Sequence, residues 1–352
     1  GAEPAASPAS ESPERRRWAP DPAPRPEERR QWTAPTPAPA PAPAPVPGPT
    51  IKSPSGGGQK LKLDKHEQID FTALTQNECL GTGGFGAVYR GFFSGKEVAI
   101  KKLFCEDGGN ISPLQLEELE KEVAALRNLD HPRLVSFVGA CLQPPNLCIV
   151  TEYMPGGSLH HLLHKAKTPL VLGQQAKLAL QVCEGTSFLH SLTPPVVHRD
   201  LKSLNIVLDL LYNAKICDFG LTQSMEKTHI SLKEGGNGGS PRYMAPECYD
   251  CKGKITEKVD VWAMGCILVE AFGGPLPYEE TPQMAQVLNL MRFHRQPPLV
   301  PPWFTPEVKP MLAGCFDFSP ETRVSSREVS EVLVTVTADD LERHGMDKRR
   351  TR

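Results

Sequence analysis

The chain has 352 residues, 39 basic against 41 acidic side chains, and 39% apolar residues. Charge this evenly balanced gives no bulk attraction to nucleic acid or to an anionic membrane, so neither is expected as a partner. No run of about 18 apolar residues occurs, which excludes a membrane-spanning helix from the expected elements.

Ten cysteines are scattered, mostly inside apolar stretches, as buried thiols are. Only Cys248 and Cys251 have C-x-x-C spacing, with no second pair to complete a zinc site. Reduced thiols and a cytoplasmic setting are the expectation. The opening Gly1-Ala2-Glu3-Pro4 has neither a charged-then-apolar leader nor an initiator Met, as expected of a piece of a longer chain.

Residues 1 to about 65 hold sixteen of the 36 prolines, among Ala, Ser, Gly and charged residues. Such a segment buries too little apolar surface to offset its chain entropy and is expected to be a disordered tail. The near-strict Ala-Pro alternation from Ala34 to Pro49 favours an extended rod and leaves no P-x-x-P spacing. Glu14-Arg15-Arg16-Arg17-Trp18-Ala19-Pro20 is echoed by Glu28-Arg29-Arg30-Gln31-Trp32-Thr33-Ala34-Pro35. Two readings stand: a duplicated docking peptide for partners of the tail, or drift in low-complexity sequence, which is the favoured one.

From about Ile69 the texture changes. Ala87–Tyr89, Glu97–Lys101 and Leu147–Tyr153 read as strands, broken by glycine turns. Ser112-Pro113 reads as a helix N-cap with proline at the first helical position. Leu116, Leu119, Val123 and Leu126 then recur at helical spacing as one apolar stripe. After about Gly156 the pattern is mainly helical, over Leu178–Leu189, Val259–Phe272, Met284–Arg292 and Ser326–Val336. Strands followed by helices predict an α+β fold of two lobes, with a ligand cleft between them.

Three motifs carry chemistry. Leu80-Gly81-Thr82-Gly83-Gly84-Phe85-Gly86-Ala87-Val88 is a glycine-rich turn that lets backbone approach phosphates. A dinucleotide site would need a helix straight after it; here a second strand follows, then Val98-Ala99-Ile100-Lys101. That disfavours an oxidoreductase. Lys101 ends an apolar strand, and Glu122, off the apolar stripe of its helix, can face it; taken singly, the pair reads better as two solvated surface charges. The third is His198-Arg199-Asp200-Leu201-Lys202-Ser203-Leu204-Asn205, followed by Asp218-Phe219-Gly220.

With these in view, the chain resembles the eukaryotic protein kinases from Ile69 to about Val336. Ala245-Pro246-Glu247, Asp260-Val261-Trp262 and Arg323, which can pair with Glu247, complete the resemblance. It implies a bilobal fold: a small β-rich lobe with one regulatory helix (69–153) and a larger helical lobe (154–338), before a basic tail (339–352). It also implies ATP and Mg2+ as cofactors and protein substrates. Asp200 then accepts the substrate hydroxyl proton, Lys202 neutralises the γ-phosphate, and Asn205 and Asp218 hold magnesium. Lys101, held by Glu122, meets the α- and β-phosphates. Val88, Ala99 and Val207 sandwich the adenine, Thr151 guards its back, and Glu152-Tyr153-Met154 forms the hinge. Phe219 and His198 pack in a spine with Leu126 and Phe137, and Cys217 sits at the inner end of the cleft as a buried thiol.

Lys202 and the run Gly239-Ser240-Pro241-Arg242-Tyr243 resemble serine/threonine kinases, while Val150–Met154 and Asp260-Val261-Trp262 resemble tyrosine kinases. That mixture resembles the tyrosine-kinase-like group and implies transfer to serine or threonine. The alternatives are a dual-specificity or tyrosine kinase, and a pseudokinase scaffold, which would lack Lys101, Asp200, Asn205 or Asp218. Arg199 implies ordering of the activation segment by a phosphate, with Thr228 or Ser231 as the expected site.

Overall fold

Strand-favouring runs around Val88, Val98–Ile100 and Ile149–Val150 form the middle of a five-stranded antiparallel sheet. The computed structural model describes residues 61–83, 86–104, 112–225, 230–231, 239–250 and 254–343, with backbone alone for 114, 230, 231 and 343. Its strands are β1 (Leu74–Gly83), β2 (Gly86–Phe93), β3 (Lys96–Leu103), β4 (Phe137–Cys141) and β5 (Cys148–Glu152), in the order β1-β2-β3-β5-β4. Side chains alternate between faces with period two. Val98, Ile100, Cys148 and Val150 turn to one side, with Ile69 and Cys141, as a small outer cluster. Leu147 and Ile149 turn to the other, where they join the main core with helix α1 (Pro113–Arg127).

Helix α1 starts where its sequence signal stands. Ser112 caps the Gln115 N–H, and the Gln115 side chain returns to the Ser112 N–H. That reciprocal box satisfies two donors the first turn would leave free. Leu119, Val123 and Leu126 from the stripe are buried.

The tail expected to run to residue 65 ends earlier. Leu61 packs on the core and Leu63 is buried in it. Arg127, at the end of α1, donates to Lys62 O (2.9 Å), Asp64 Oδ2 (2.6 Å) and Glu67 Oε1 (2.7 Å). Ala140 N–H donates to Glu67 O at 2.8 Å, and Ile69 N–H to Ala140 O at 3.0 Å, docking the segment on β4. Among the described residues the folded unit therefore includes Leu61–Gln68, ahead of the expected start at Ile69. The boundary at 338 moves as well, because helix α7 (Ala338–Arg343) follows and its Leu341 is fully buried.

Short pairings carry the chain into the helical lobe. These are β6 (Gly157–Ser158), β8 (Ile206–Leu208) and β9 (Ala214–Ile216) in one sheet, with β7 (Val196–Val197) against β10 (Gln223–Ser224). A further pairing joins β11 (Ile230–Ser231) to β12 (Lys254–Ile255). One π-helical turn, His161–Lys165, precedes helix α2 (Leu172–Ser191). Helix α3 (Lys258–Ala271) is buried along almost its whole length. Helices α4 (Met284–Arg292), α5 (Val308–Cys315) and α6 (Ser326–Thr335) surround the core. Among the described residues no helix is long and apolar enough to cross a membrane.

Candidate active site

The small sheet supplies the cation of the site. Lys101 leaves β3 and donates to both oxygens of Glu122 on α1 (2.7 and 2.9 Å) and to Asp218 Oδ1 (2.7 Å). An ammonium at the end of an apolar strand is stable only with such partners. Burial works to lower the Lys101 pKa, but Glu122 and Asp218 outweigh it and hold the group well above its ordinary value. Burial pushes Glu122 up against the pull of Lys101. Asp218 is pushed up by burial and pulled further down by Lys101, so it stays ionised. A Cβ on Gly220 would lie 3.3 Å from Glu122 Oε2 and 3.4 Å from Lys101 Nζ, so glycine lets the triad close.

The large lobe supplies the loop between β7 and β8. Lys202 Nζ donates to Asp200 Oδ2 (2.6 Å) and Ser240 Oγ (2.9 Å). Asn205 Nδ2 donates to Asp200 O (2.8 Å) and Oδ2 (3.2 Å). These bonds engage one carboxylate oxygen of Asp200; Oδ1 is buried with no hydrogen-bond partner among the described residues. His198 accepts at Nδ1 from Asp200 N–H (3.3 Å) and donates from Nε2 to Cys217 O (3.1 Å), so one neutral tautomer satisfies both. Its ring lies 5.1 Å from that of Phe219, and Leu126 and Phe137 belong to the same core, as the spine expectation has it.

Two residues beside this chemistry hold left-handed backbone, Arg199 at φ 68° and Asp218 at φ 64°. Neither is glycine, so each conformation costs about 1–3 kcal/mol and needs outside support. For Arg199 that support is Asp260. Its carboxylate accepts from the backbone N–H of His198 (2.7 Å) and of Arg199 (2.9 Å), and is 3.1 Å from His190 Nε2.

The expected adenine contacts come from two sheets, with Val88 and Ala99 on the neighbouring strands β2 and β3 and Val207 on β8 of the β6-β8-β9 sheet. Val88 (β2), Ala99 (β3) and Val207 (β8) are half-buried, Ala87 and Met154 are buried, and Leu80 and Thr82 are exposed. Thr151 and Glu152 end β5, but the Glu152 side chain points elsewhere, accepting from Ser136 N–H and Lys215 Nζ, both at 2.6 Å. The Glu152 N–H donates to Ser136 O at 3.0 Å, so only its carbonyl is left for a hinge role. The glycines divide similarly. A Cβ would meet nothing within 4 Å at Gly81 or Gly83, but at Gly86 it would lie 2.2 Å from Lys102 O, so Gly86 serves the β2–β3 pairing. Gly84, Phe85, Thr228, Cys251 and the two Trp motifs lie outside the described residues, as does the side chain of Ser231. Arg199 Nη1 donates to Gln223 Oε1 at 3.3 Å. Cys217 is pushed up to about 12 by burial first and by Asp218 next, as an inert thiol should be.

Two functional carboxylates escaped sequence reading in these roles. Asp260 was legible only as the start of a buried helix. Glu270 is buried on α3 and accepts from Tyr243 OH (2.8 Å), with His164 Nε2 at 2.7 Å. A lone acid inside the apolar run from Val261 to Ala271 was the available signal. At the far end of the segment Arg323 donates to both oxygens of Glu247 (2.6 and 3.0 Å), the expected pair, and stacks on Trp262.

The sequence model of a family described as protein tyrosine and serine/threonine kinase matches residues 74–333. The chain belongs to that family. Among similar proteins, a probable serine/threonine-protein kinase of Dictyostelium discoideum is 38% identical over 266 residues, 76% of this kinase chain and 28% of its own length. The probable serine/threonine-protein kinase SIS8 of Arabidopsis thaliana is 35% identical, over 80% of this chain and 27% of its own. The serine/threonine-protein kinase CTR1 of the same plant is 36% identical, over 80% and 34%. The chain thus spans about a third or less of the length of these three relatives.

Proposed function

We propose that the chain is a catalytically active kinase that transfers the γ-phosphoryl group of ATP to serine or threonine hydroxyls of proteins. The observation that carries this reading is the Lys202 bridge between Asp200 Oδ2 and Ser240 Oγ, which joins the acceptor-side carboxylate to the activation segment. Asp200 takes the proton of the substrate hydroxyl as its oxygen attacks the γ-phosphorus, and the bond to the β-phosphate oxygen breaks to release ADP. Lys202 and Lys101 offset negative charge on either side of that centre.

The residues present fit magnesium. Asn205 makes both of its side-chain hydrogen bonds among the described residues through Nδ2, leaving Oδ1 as an acceptor, and Asp218 engages Lys101 through Oδ1 alone among the described residues. An amide oxygen beside a carboxylate oxygen is the donor set a hard cation takes. Bound there, magnesium would offset phosphate charge. The free thiols among the described cysteines fit a cytoplasmic setting. Docking of partners by the proline-rich tail, and activation through Arg199 by phosphate on Thr228 or Ser231, belong to the same proposal.

The test is phosphoryl transfer from radiolabelled ATP to a degenerate peptide library, with Asp200→Asn as control. The expected result is phosphoserine and phosphothreonine from the wild type and none above background from the variant, with nucleotide binding retained. Phosphotyrosine as the main product would overturn the acceptor class. Equal activity of wild type and variant would overturn the mechanism.

A further inference from the structure

We propose that Cys141 and Cys148 form a redox-active dithiol, which a peroxide closes into a disulfide between β4 and β5. The two residues are register partners across the antiparallel pair and belong to the same outer cluster of the sheet. Directly opposed residues have Cα atoms about 4.5–5.5 Å apart, inside the roughly 4.4–6.8 Å that a disulfide spans. Their side chains share a face, so closure needs only rotation about side-chain bonds.

The two sulfurs are chemically unequal. The Cys141 sulfur lies beside the Cys148 thiol, and its own S–H reaches Gln143 O at 4.0 Å. The neighbouring Cys148 thiol, outweighing the burial that opposes it, draws the Cys141 thiol below its ordinary range. Cys148, with Cys141 beside it and buried, is pushed well up and keeps its proton. A thiolate next to a thiol is the arrangement that peroxide oxidation followed by resolution requires. The remaining buried thiols among the described residues differ: Cys183, Cys248, Cys266 and Cys315 are all pushed up by burial first.

The chemistry balances in two steps. The Cys141 thiolate attacks one peroxide oxygen, the O–O bond breaks, and hydroxide leaves a sulfenic acid on Cys141. The Cys148 sulfur attacks the Cys141 sulfur, the S–O bond breaks, and that oxygen leaves as water with the Cys148 proton. Two thiol electrons per residue pair have then reduced one peroxide, with the hydroxide taking up a proton from solvent. Access favours a small oxidant. Cys141 is only 2% exposed but ends β4 directly before the exposed residues Gln143, Pro144 and Pro145.

The experiment treats the full wild-type chain with hydrogen peroxide, then unfolds it, blocks free thiols with N-ethylmaleimide and maps peptides by mass spectrometry. Exposed Cys79 serves as the internal reference for oxidation. The expected product is an intramolecular Cys141–Cys148 disulfide, reversed by dithiothreitol, forming at least about tenfold faster than any oxidation of Cys183, Cys266 or Cys315. Recovery of Cys141 and Cys148 as free thiols once Cys79 is fully oxidised would overturn the proposal. In Cys148→Ala the resolving thiol is gone, and dimedone should label a sulfenic acid on Cys141. Absence of that adduct in a folded variant would equally overturn it, and if the variant does not fold, the wild-type mapping decides alone.

Discussion

Asp260→Asn tests whether catalysis here depends on a buried carboxylate that touches no reacting atom. Asp260 is 1% exposed, and its two oxygens accept from adjacent backbone N–H groups that lead directly into Asp200. Asparagine keeps the shape but turns one acceptor into a donor that faces an N–H. A lost charge-assisted bond at a buried site is worth about 1.5–3 kcal/mol, including the donor left unpaired. For a domain of this size that is roughly 3–6 °C in Tm. The larger effect falls on rate. Without Asp260 nothing described holds Arg199 at φ 68°, and the chain relaxes one residue before the catalytic carboxylate. Misplacement by about an ångström costs on the order of a hundredfold in rate. Steady-state kinetics should therefore show kcat reduced by about 30–100-fold with KM for ATP within about threefold, since the Lys101 side of the cleft is untouched. Differential scanning fluorimetry measures the stability change on the same sample. A variant with wild-type kcat and a lowered Tm would show that Asp260 only stabilises the lobe, and the positioning argument would fail.

Three further outcomes follow from the same structure. Gly86→Ala puts a Cβ against Lys102 O and should cost about 1–3 kcal/mol by thermal unfolding, whereas Gly81→Ala and Gly83→Ala should unfold like wild type and show their effect only in KM for ATP. Arg127→Ala removes three bonds that hold residues 62–67 behind α1, and Arg127 is 27% exposed, so about 1–2 kcal/mol is expected after solvent screening. Hydrogen exchange should rise over residues 61–69 and along α1, with a several-fold fall in kcat/KM through a looser Lys101–Glu122 pair; unchanged exchange on both segments would contradict this. Burial pushes the Asp260 carboxyl up, but His190 and the His198 N–H hold it below its ordinary 3.8. A depressed carboxyl contributes its full stability above that ordinary value and loses it as pH falls below it, so urea unfolding of wild type should weaken more steeply below about pH 4 than that of Asp260→Asn.

How far the sequence could be read follows from what kind of signal each feature carries. The residues around Asp200 and Asp218 were legible because phosphoryl transfer needs particular side chains at fixed local spacing. Helix α1 was legible because its cap, proline and stripe all lie within fifteen residues. Strand β1 was not, since it is an edge strand of mostly exposed polar residues with no alternation to detect. The segment Leu61–Gln68 misled in the same way. Read alone, Leu61 and Leu63 are two apolar residues among Lys62, Asp64, Lys65, His66 and Glu67, and such composition argues for solvent. What holds the segment is Arg127, more than sixty residues away in sequence.

Asp260 carries that logic to its end. Its nearest described partners stand 61 and 62 residues upstream, so no local window contains both halves of the interaction. Composition signals only a charge at the start of an apolar helix, which a satisfied cap would explain equally well. Yet the left-handed backbone of Arg199 has to be supported from somewhere, because a non-glycine residue does not hold φ 68° unaided. The local motif therefore implies that a distant acceptor exists without naming it. Folding supplies the name by bringing the start of α3 under the catalytic loop. The residues expected to be catalytic can be read in line, while the carboxylate that holds their loop becomes visible only when the chain closes on itself.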